Sequence, residues 1–337
     1  MKVILTIDTE GPRGNDPVLY QIWGKVGDKY YGIPEIIDIC DKYGVKGLFF
    51  VDFAEAYDYG YDKILEVVQY IKKKGHDIGV HIHPHHYPNC TKHFLWEYTY
   101  NEQYKIIEDC TDLYIKMLGV RPKSFRAGKY SANNDTLKII AELGYRYDFS
   151  EYYSQKWCGI SPHFAYVYPQ KKWGIVEFPV TVFKSLSLGR LYHRYDKLEM
   201  TDNANEILHI VDMYSHKEGD LVVTLFAHSF SFLNYLKKPD NPTLNKKRKK
   251  CFEKVLAKLK MKKTCFICEQ QLADVTLPAA DSIDNIVQTR SLFKQIVYSA
   301  IRLLSIKNNR KANFFIAMIT GTALAALLLI IVLFIIF

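Results

Sequence analysis

The sequence predicts an α/β domain on a mostly parallel sheet, and three observations carry that prediction. Over residues 1–275, short apolar runs of strand character alternate with stretches of helical periodicity. Several runs are apolar at nearly every position, as strands buried on both faces of a parallel sheet are. Gly44, Gly75, Gly119 and Gly144 each follow a helical stretch, where a C-terminal cap belongs. The strands expected in order are Val3–Asp8, Val45–Asp52, Asp77–His83, Ser124–Gly128, Tyr145–Ser150, Ile175–Thr181, Leu221–Ser229 and Thr264–Glu269. Helices are expected over 34–43, 62–74, 99–118, 134–143, 203–217 and 245–260. Such an order gives an open sheet or a barrel.

The end of the chain reads differently. Phe314–Phe337 is 24 residues without a charge, about 36 Å as a helix against a hydrocarbon core of about 30 Å. A transmembrane helix is expected there. Lys307, Arg310 and Lys311 precede it, which by the positive-inside rule expects a single-pass C-terminal anchor with residues 1–311 cytoplasmic. Apolar residues from Leu292 to Leu304 recur at helical spacing among Arg290, Lys294 and Arg302, predicting a basic amphipathic helix on an anionic membrane surface. The resulting organisation is a catalytic domain over 1–275, a linker over 276–289, a juxtamembrane helix over 290–311 and a tail anchor over 312–337.

Charge narrows the function. The 337 residues carry 45 Lys+Arg against 36 Asp+Glu, a formal net charge of +9. Residues 237–263 hold twelve bases and two acids, and residues 290–311 six bases and no acid, so the remainder is net −7. The excess sits in two late segments, and no nucleic-acid partner is expected. The apolar run at residues 3–7 is short for a secretion signal, so none is expected, and the seven scattered cysteines are expected as reduced thiols. Cys265 and Cys268 form a CxxC without a second pair, read as structural.

The unusual polar residues fall at the carboxyl ends of strands, where parallel α/β folds place their sites. His81, His83 and His85 share one parity after an apolar strand, a pattern suited to zinc or a similar divalent ion. Asp8 and Glu10 lie on one side of the first strand end, and such a pair can supply a metal ligand and a base for water. Arg126 closes an apolar strand and is expected to pair with a carboxylate. His228 closes another and is a candidate general acid.

The pieces LTIDTEGP, YGVKGLFFVD, GHDIGVHIHPH, SFRAGKY, GYRYDFS and LFAHSFSFL, in this order over about residues 1–275, resemble the polysaccharide deacetylase family, carbohydrate esterase family four. The resemblance implies a distorted (β/α) barrel with fewer than eight regular repeats and metal-dependent hydrolysis of an N-acetyl group, usually on an amino sugar. It implies Asp8 as base, Glu10 as metal ligand, His81 and His85 as further ligands with His83 as the alternative, Arg126 as the group orienting the base, and His228 as general acid. Thr9 separates the two acids, as in a divergent branch of the family. The usual Asp-Trp motif is missing, with Asp148 a weak substitute. The expected cofactor is a divalent metal, zinc foremost. The expected substrate is an amino sugar on a lipid- or nucleotide-linked glycan precursor at the cytoplasmic membrane face. The alternatives are a deformylase or other C–N hydrolase on a lipid-linked sugar, and an inactive membrane-bound scaffold.

Overall fold

A computed structural model describes residues 1–162, 167–188, 192–277, 286–289 and 291–305. The alternating pattern becomes one eight-stranded sheet. Its strands are β1 (Lys2–Thr9), β2 (Gly47–Asp52), β3 (Asp77–Ile82), β4 (Ser124–Ala127), β5 (Tyr147–Asp148), β6 (Gln170–Lys172), β7 (Ile175–Glu177) and β8 (Val222–His228). The spatial order is β8-β1-β2-β3-β4-β5-β7-β6, parallel throughout except for the β6–β7 edge pair. The helices are α1 (Ile33–Lys42), α2 (Glu55–Tyr59), α3 (Tyr61–Lys73), α4 (Tyr100–Leu118), α5 (Asn134–Glu142), α6 (Ala204–Ser215), α7 (Lys246–Met261) and α8 (Leu292–Ser305). The six helices expected from the sequence begin and end within two residues of α1, α3, α4, α5, α6 and α7. Gly119 shows why the boundaries were readable: it caps α4 in the left-handed region at φ 73°, its N–H bonded to Ile115.

The curled sheet has two apolar faces. The larger packs the strands against the helices, with Ile7, Phe49, Val51, Val80 and Phe125 fully buried. The smaller holds Ile4, Leu48, Phe50, Phe149, Phe178 and Val222, closed by Ile267, Leu272 and Val275 from the chain beyond α7. That last segment was expected as a strand over Thr264–Glu269. It makes a single bridge, Val3 to Phe266, at the start of β1 where β2 has not yet begun, and then turns into a short helix over Glu269–Asp274.

Strand register lines up the polar ends. Asp8 stands beside His228 on one side and Phe50 on the other; Asp52 stands beside His81, and His81 beside Arg126. On the outer side of β8, Glu199 forms one parallel bridge with Phe226.

The expected architecture needs one correction. Among the described residues the sheet is a curled half-barrel with an antiparallel edge strand, which fits the distorted barrel that was expected. The predicted transmembrane helix over 312–337 is not supported, because no helix among the described residues is long and apolar enough to cross a membrane. Residues 306–337 lie outside the described residues, as do Arg290 and most of the expected linker. The expected single-pass membrane localisation, with a cytoplasmic catalytic domain, is likewise not supported among the described residues.

The chain divides into two units, one of residues 1–184 and 195–288, the other of 185–194 with 289 onward. In the second, the Gln295 side chain accepts from the Ser187 N–H at 2.9 Å and donates to the Thr289 carbonyl. In the first, α7 buries Phe252, Val255, Leu256 and Leu259, and its basic run begins a solvated face on which Lys249 pairs with Glu35 at 2.9 Å. All seven cysteines are free.

Phe49 tests the outer core. Its ring is fully buried on β2, so Phe49→Ala is expected to cost about 3–5 kcal/mol in urea denaturation, as large-to-small core substitutions do.

Candidate active site

Arg126 organises the site from below. Its guanidinium is 1% exposed and lies 2.6 Å from the Asp8 carboxylate. Its other nitrogens donate to the Thr6 hydroxyl at 3.1 Å and the Phe149 carbonyl at 3.2 Å. The Phe50 ring stacks beneath it at 4.3 Å. Burial pushes the Asp8 carboxyl up, but Arg126, helped by His81 and His228, outweighs it and leaves Asp8 below its ordinary pKa. Asp8 is therefore an ionised carboxylate in a nearly water-free position, able to accept a proton but held in place.

Glu10 sits two residues further along the same side, at the rim. Its Oε2 lies 2.6 Å from His83 Nε2 and 3.3 Å from His81 Nε2. Burial works against its charge, and the two histidines hold its pKa well below the usual value. The His81 Nδ1 lies 2.8 Å from the Arg126 carbonyl. That contact places the proton on Nδ1 and turns Nε2 toward Glu10. His83 Nδ1 is buried with no hydrogen-bond partner. Ligand atoms of Glu10, His81 and His83 all lie within 4.8 Å of one another. Two imidazole nitrogens and one carboxylate fit a zinc-type cation with open positions.

His85 stands outside that trio. It packs against His86, His93 and His83 at ring distances of 4.1, 5.0 and 5.6 Å. Burial, then its histidine neighbours, lower its pKa to about 3. The reason is local geometry. β3 ends at Ile82, and the chain turns into a short 3₁₀ helix over Pro84–His86. The parity that would align His85 with His81 ends with the strand. Gly128 makes room for His83: a Cβ there would sit 2.7 Å from the His83 ring and from the Ile82 carbonyl.

His228 faces the site from β8. Its Nε2 lies 3.8 Å from Glu10 and its Nδ1 4.0 Å from Glu199. Burial, with Lys197 second, lowers its pKa to about 4, so the ring is neutral near pH 7. Burial raises Glu199 to about 7 and lowers Lys197 to about 8. The Lys197 ammonium donates to the Tyr130 hydroxyl at 3.1 Å.

Glu199, Lys197 and Tyr130 belong to this end of the sheet and were missed from sequence. Glu199 carried no strand signal because it makes only one bridge, to Phe226. Asp148 does not stand in for the missing motif, because its carboxylate accepts from the Ser150 hydroxyl and N–H and shares a hydrogen bond with Glu177.

The fold has relatives. The sequence profile of the polysaccharide deacetylase family matches residues 27–147, and that of glycosyl hydrolase family 57 matches residues 93–228. No curated protein sequence matches the chain. Among solved structures, a protein described as a polysaccharide deacetylase from Mycobacterium smegmatis aligns at 18% identity and TM-score 0.52, over 83% of this chain and 94% of its own. The peptidoglycan deacetylase PdaC from Bacillus subtilis aligns at 15% and 0.40, over 81% and 90%. A family pseudoenzyme from Bacillus anthracis aligns at 12% and 0.44, over 86% and 69%. The first likeness is to the fold. The profile match, on that fold, supports a hydrolase acting on non-peptide C–N bonds. Over residues 27–147 the chain is similar to the polysaccharide deacetylase family, on a fold shared with a structure described as one of its members.

Three substitutions probe this geometry. Arg126→Met leaves Asp8 buried without its partner and is expected to cost about 3–5 kcal/mol, while the Asp8→Asn, Arg126→Met double variant recovers part of it in denaturant titrations. Gly128→Ala is expected to displace His83 and weaken zinc binding at least tenfold in calorimetric titration, with far-ultraviolet circular dichroism unchanged.

Proposed function

We propose that the chain hydrolyses the N-acetyl group of a glycan-borne amino sugar, with Glu10, His81 and His83 holding a zinc-class cation and Asp8 acting as base. The observation that supports this best is the pairing of an Arg126-held ionised carboxylate with a Glu–His–His group one strand repeat away. When bound, the cation supplies an electrophile that polarises the amide carbonyl and acidifies water.

The chain's own residues do the rest. Asp8 takes the proton of the attacking water, and Arg126 keeps it ionised and aimed. The leaving nitrogen receives a proton through His228. Because that imidazole is neutral near pH 7 and Glu199 titrates near 7, Glu199 stores the proton and His228 passes it on. Products are acetate and the free amine.

The substrate is read from the surroundings. Phe94 stacks between Trp96 and Trp157 at 5.5 and 5.1 Å, and Trp96 is 41% exposed. His93 adjoins this platform in sequence and packs on His85. Open aromatic faces suit the apolar face of a sugar ring. A lipid- or nucleotide-linked precursor rested on the membrane anchor and has no separate support, so an N-acetylhexosamine oligosaccharide is the substrate of choice.

Acetate release from N-acetylglucosamine oligomers by the zinc-loaded protein tests the reading. Asp8→Asn is expected to lower kcat by about 10²–10⁴-fold while retaining zinc. His81→Ala should lose zinc and activity together. Full activity in Asp8→Asn would sink the base assignment, and formate release from an N-formylated amino sugar, with no acetate released from the N-acetyl oligomers, would move the reading to a deformylase.

A further inference from the structure

A second set of ligand atoms converges on the outer side of the Glu10 trio. Asp52 closes β2, Glu55 opens α2, and His86 ends the 3₁₀ turn after β3; one ligand atom from each lies within 4.8 Å of the others. All three are buried, at 0%, 1% and 9% exposure. Their hydrogen bonds leave a defined vacancy in bonding. Asp52 accepts from the Ala54 and His83 N–H groups at 3.0 and 3.1 Å. Glu55 Oε1 accepts from the Gly11 N–H at 2.6 Å, but Oε2 is buried with no hydrogen-bond partner. His86 Nδ1 lies 2.7 Å from the Asp58 carboxylate. A carboxylate behind an imidazole is the usual device for orienting a metal-binding histidine, and it leaves Nε2 as the donor.

The geometry points to a second divalent cation held by Asp52, Glu55 and His86, distinct from the one proposed at Glu10, His81 and His83. Two carboxylates and an imidazole without a thiolate select a zinc- or manganese-like ion over a soft one. Two buried carboxyls side by side are costly without positive charge between them, and a cation supplies it. The burial of all three ligands makes this a structural site. Its use follows from what the carboxylates also hold: Asp52 fixes the His83 peptide, and Glu55 fixes the Gly11 peptide next to Glu10. A cation there clamps both loops that carry the first site's ligands.

The test is zinc stoichiometry of the full chain, stripped with chelator, dialysed against zinc and measured by mass spectrometry. Circular dichroism checks folding. The wild type should bind two equivalents, and Glu55→Gln and His81→Ala one each. Asp58→Asn, altered at a half-exposed side chain, should keep two but bind one of them about 10–100-fold more weakly. Zinc should raise the Tm of His81→Ala and leave that gain absent in the His81→Ala, Glu55→Gln double variant. One equivalent, lost in His81→Ala and untouched by Glu55→Gln, overturns the second site and leaves the first standing. One equivalent lost in Glu55→Gln and kept in His81→Ala supports the second site and sinks the first. If Asp52 and Glu55 merely share a proton, zinc moves the Tm of neither variant, and the proposal falls.

Discussion

A guanidinium buried inside a half-barrel constrains this structure more than any other group. A charge at 1% exposure is tolerable only when it is paired and its donors are filled. Arg126 meets that condition with Asp8, Thr6 and the Phe149 carbonyl. Asp8 and Arg126 lie on strands three steps apart, about 14 Å between backbones in a flat sheet at the usual spacing. A single arginine does not bridge that gap, so their 2.6 Å contact requires the sheet to curl. The ion pair and the curvature are one constraint: the same bend that satisfies Arg126 brings the β8 and β3 ends toward Glu10.

The interrupted acidic motif then has a physical meaning. Two residues along a strand return the side chain to the same face about 6.6 Å further on. Asp8 thus lies deep, against Arg126, while Glu10 lies at the rim, against the histidines. The two carboxylates share a face yet stand in different electrostatic settings, one under a permanent cation, the other between titratable rings. Separate environments are what let neighbouring acids serve different purposes.

The helices and strand ends were legible because their signals are local. Glycine caps and helical periodicity located α1 and α3–α7, and apolar runs closed by Asp8, Asp52 and His228 located the strands. That His83 and not His85 lies beside Glu10 was not legible, since it depends on where β3 yields to a 3₁₀ turn, a matter of one residue. Asp52 ended a recognised strand, but its partners Glu55 and His86 come from different elements, and only the fold joins them. Glu199 reaches His228 through a single bridge without periodicity. The segment after α7 read as a strand because it is apolar, and it is apolar because it closes the inner face.

The place of β1 in the sheet has a kinetic consequence. It precedes the other strands of the sheet in sequence, yet one of its two neighbours, β8, begins at Val222, and the segment bridging its start lies at Phe266. One edge of a strongly apolar strand therefore stays unpaired until most of the domain has been made. Such long-range parallel pairing is slow to form and leaves an edge open to other chains meanwhile. For β1, closing that edge waits on β8, the last strand of the sheet in sequence.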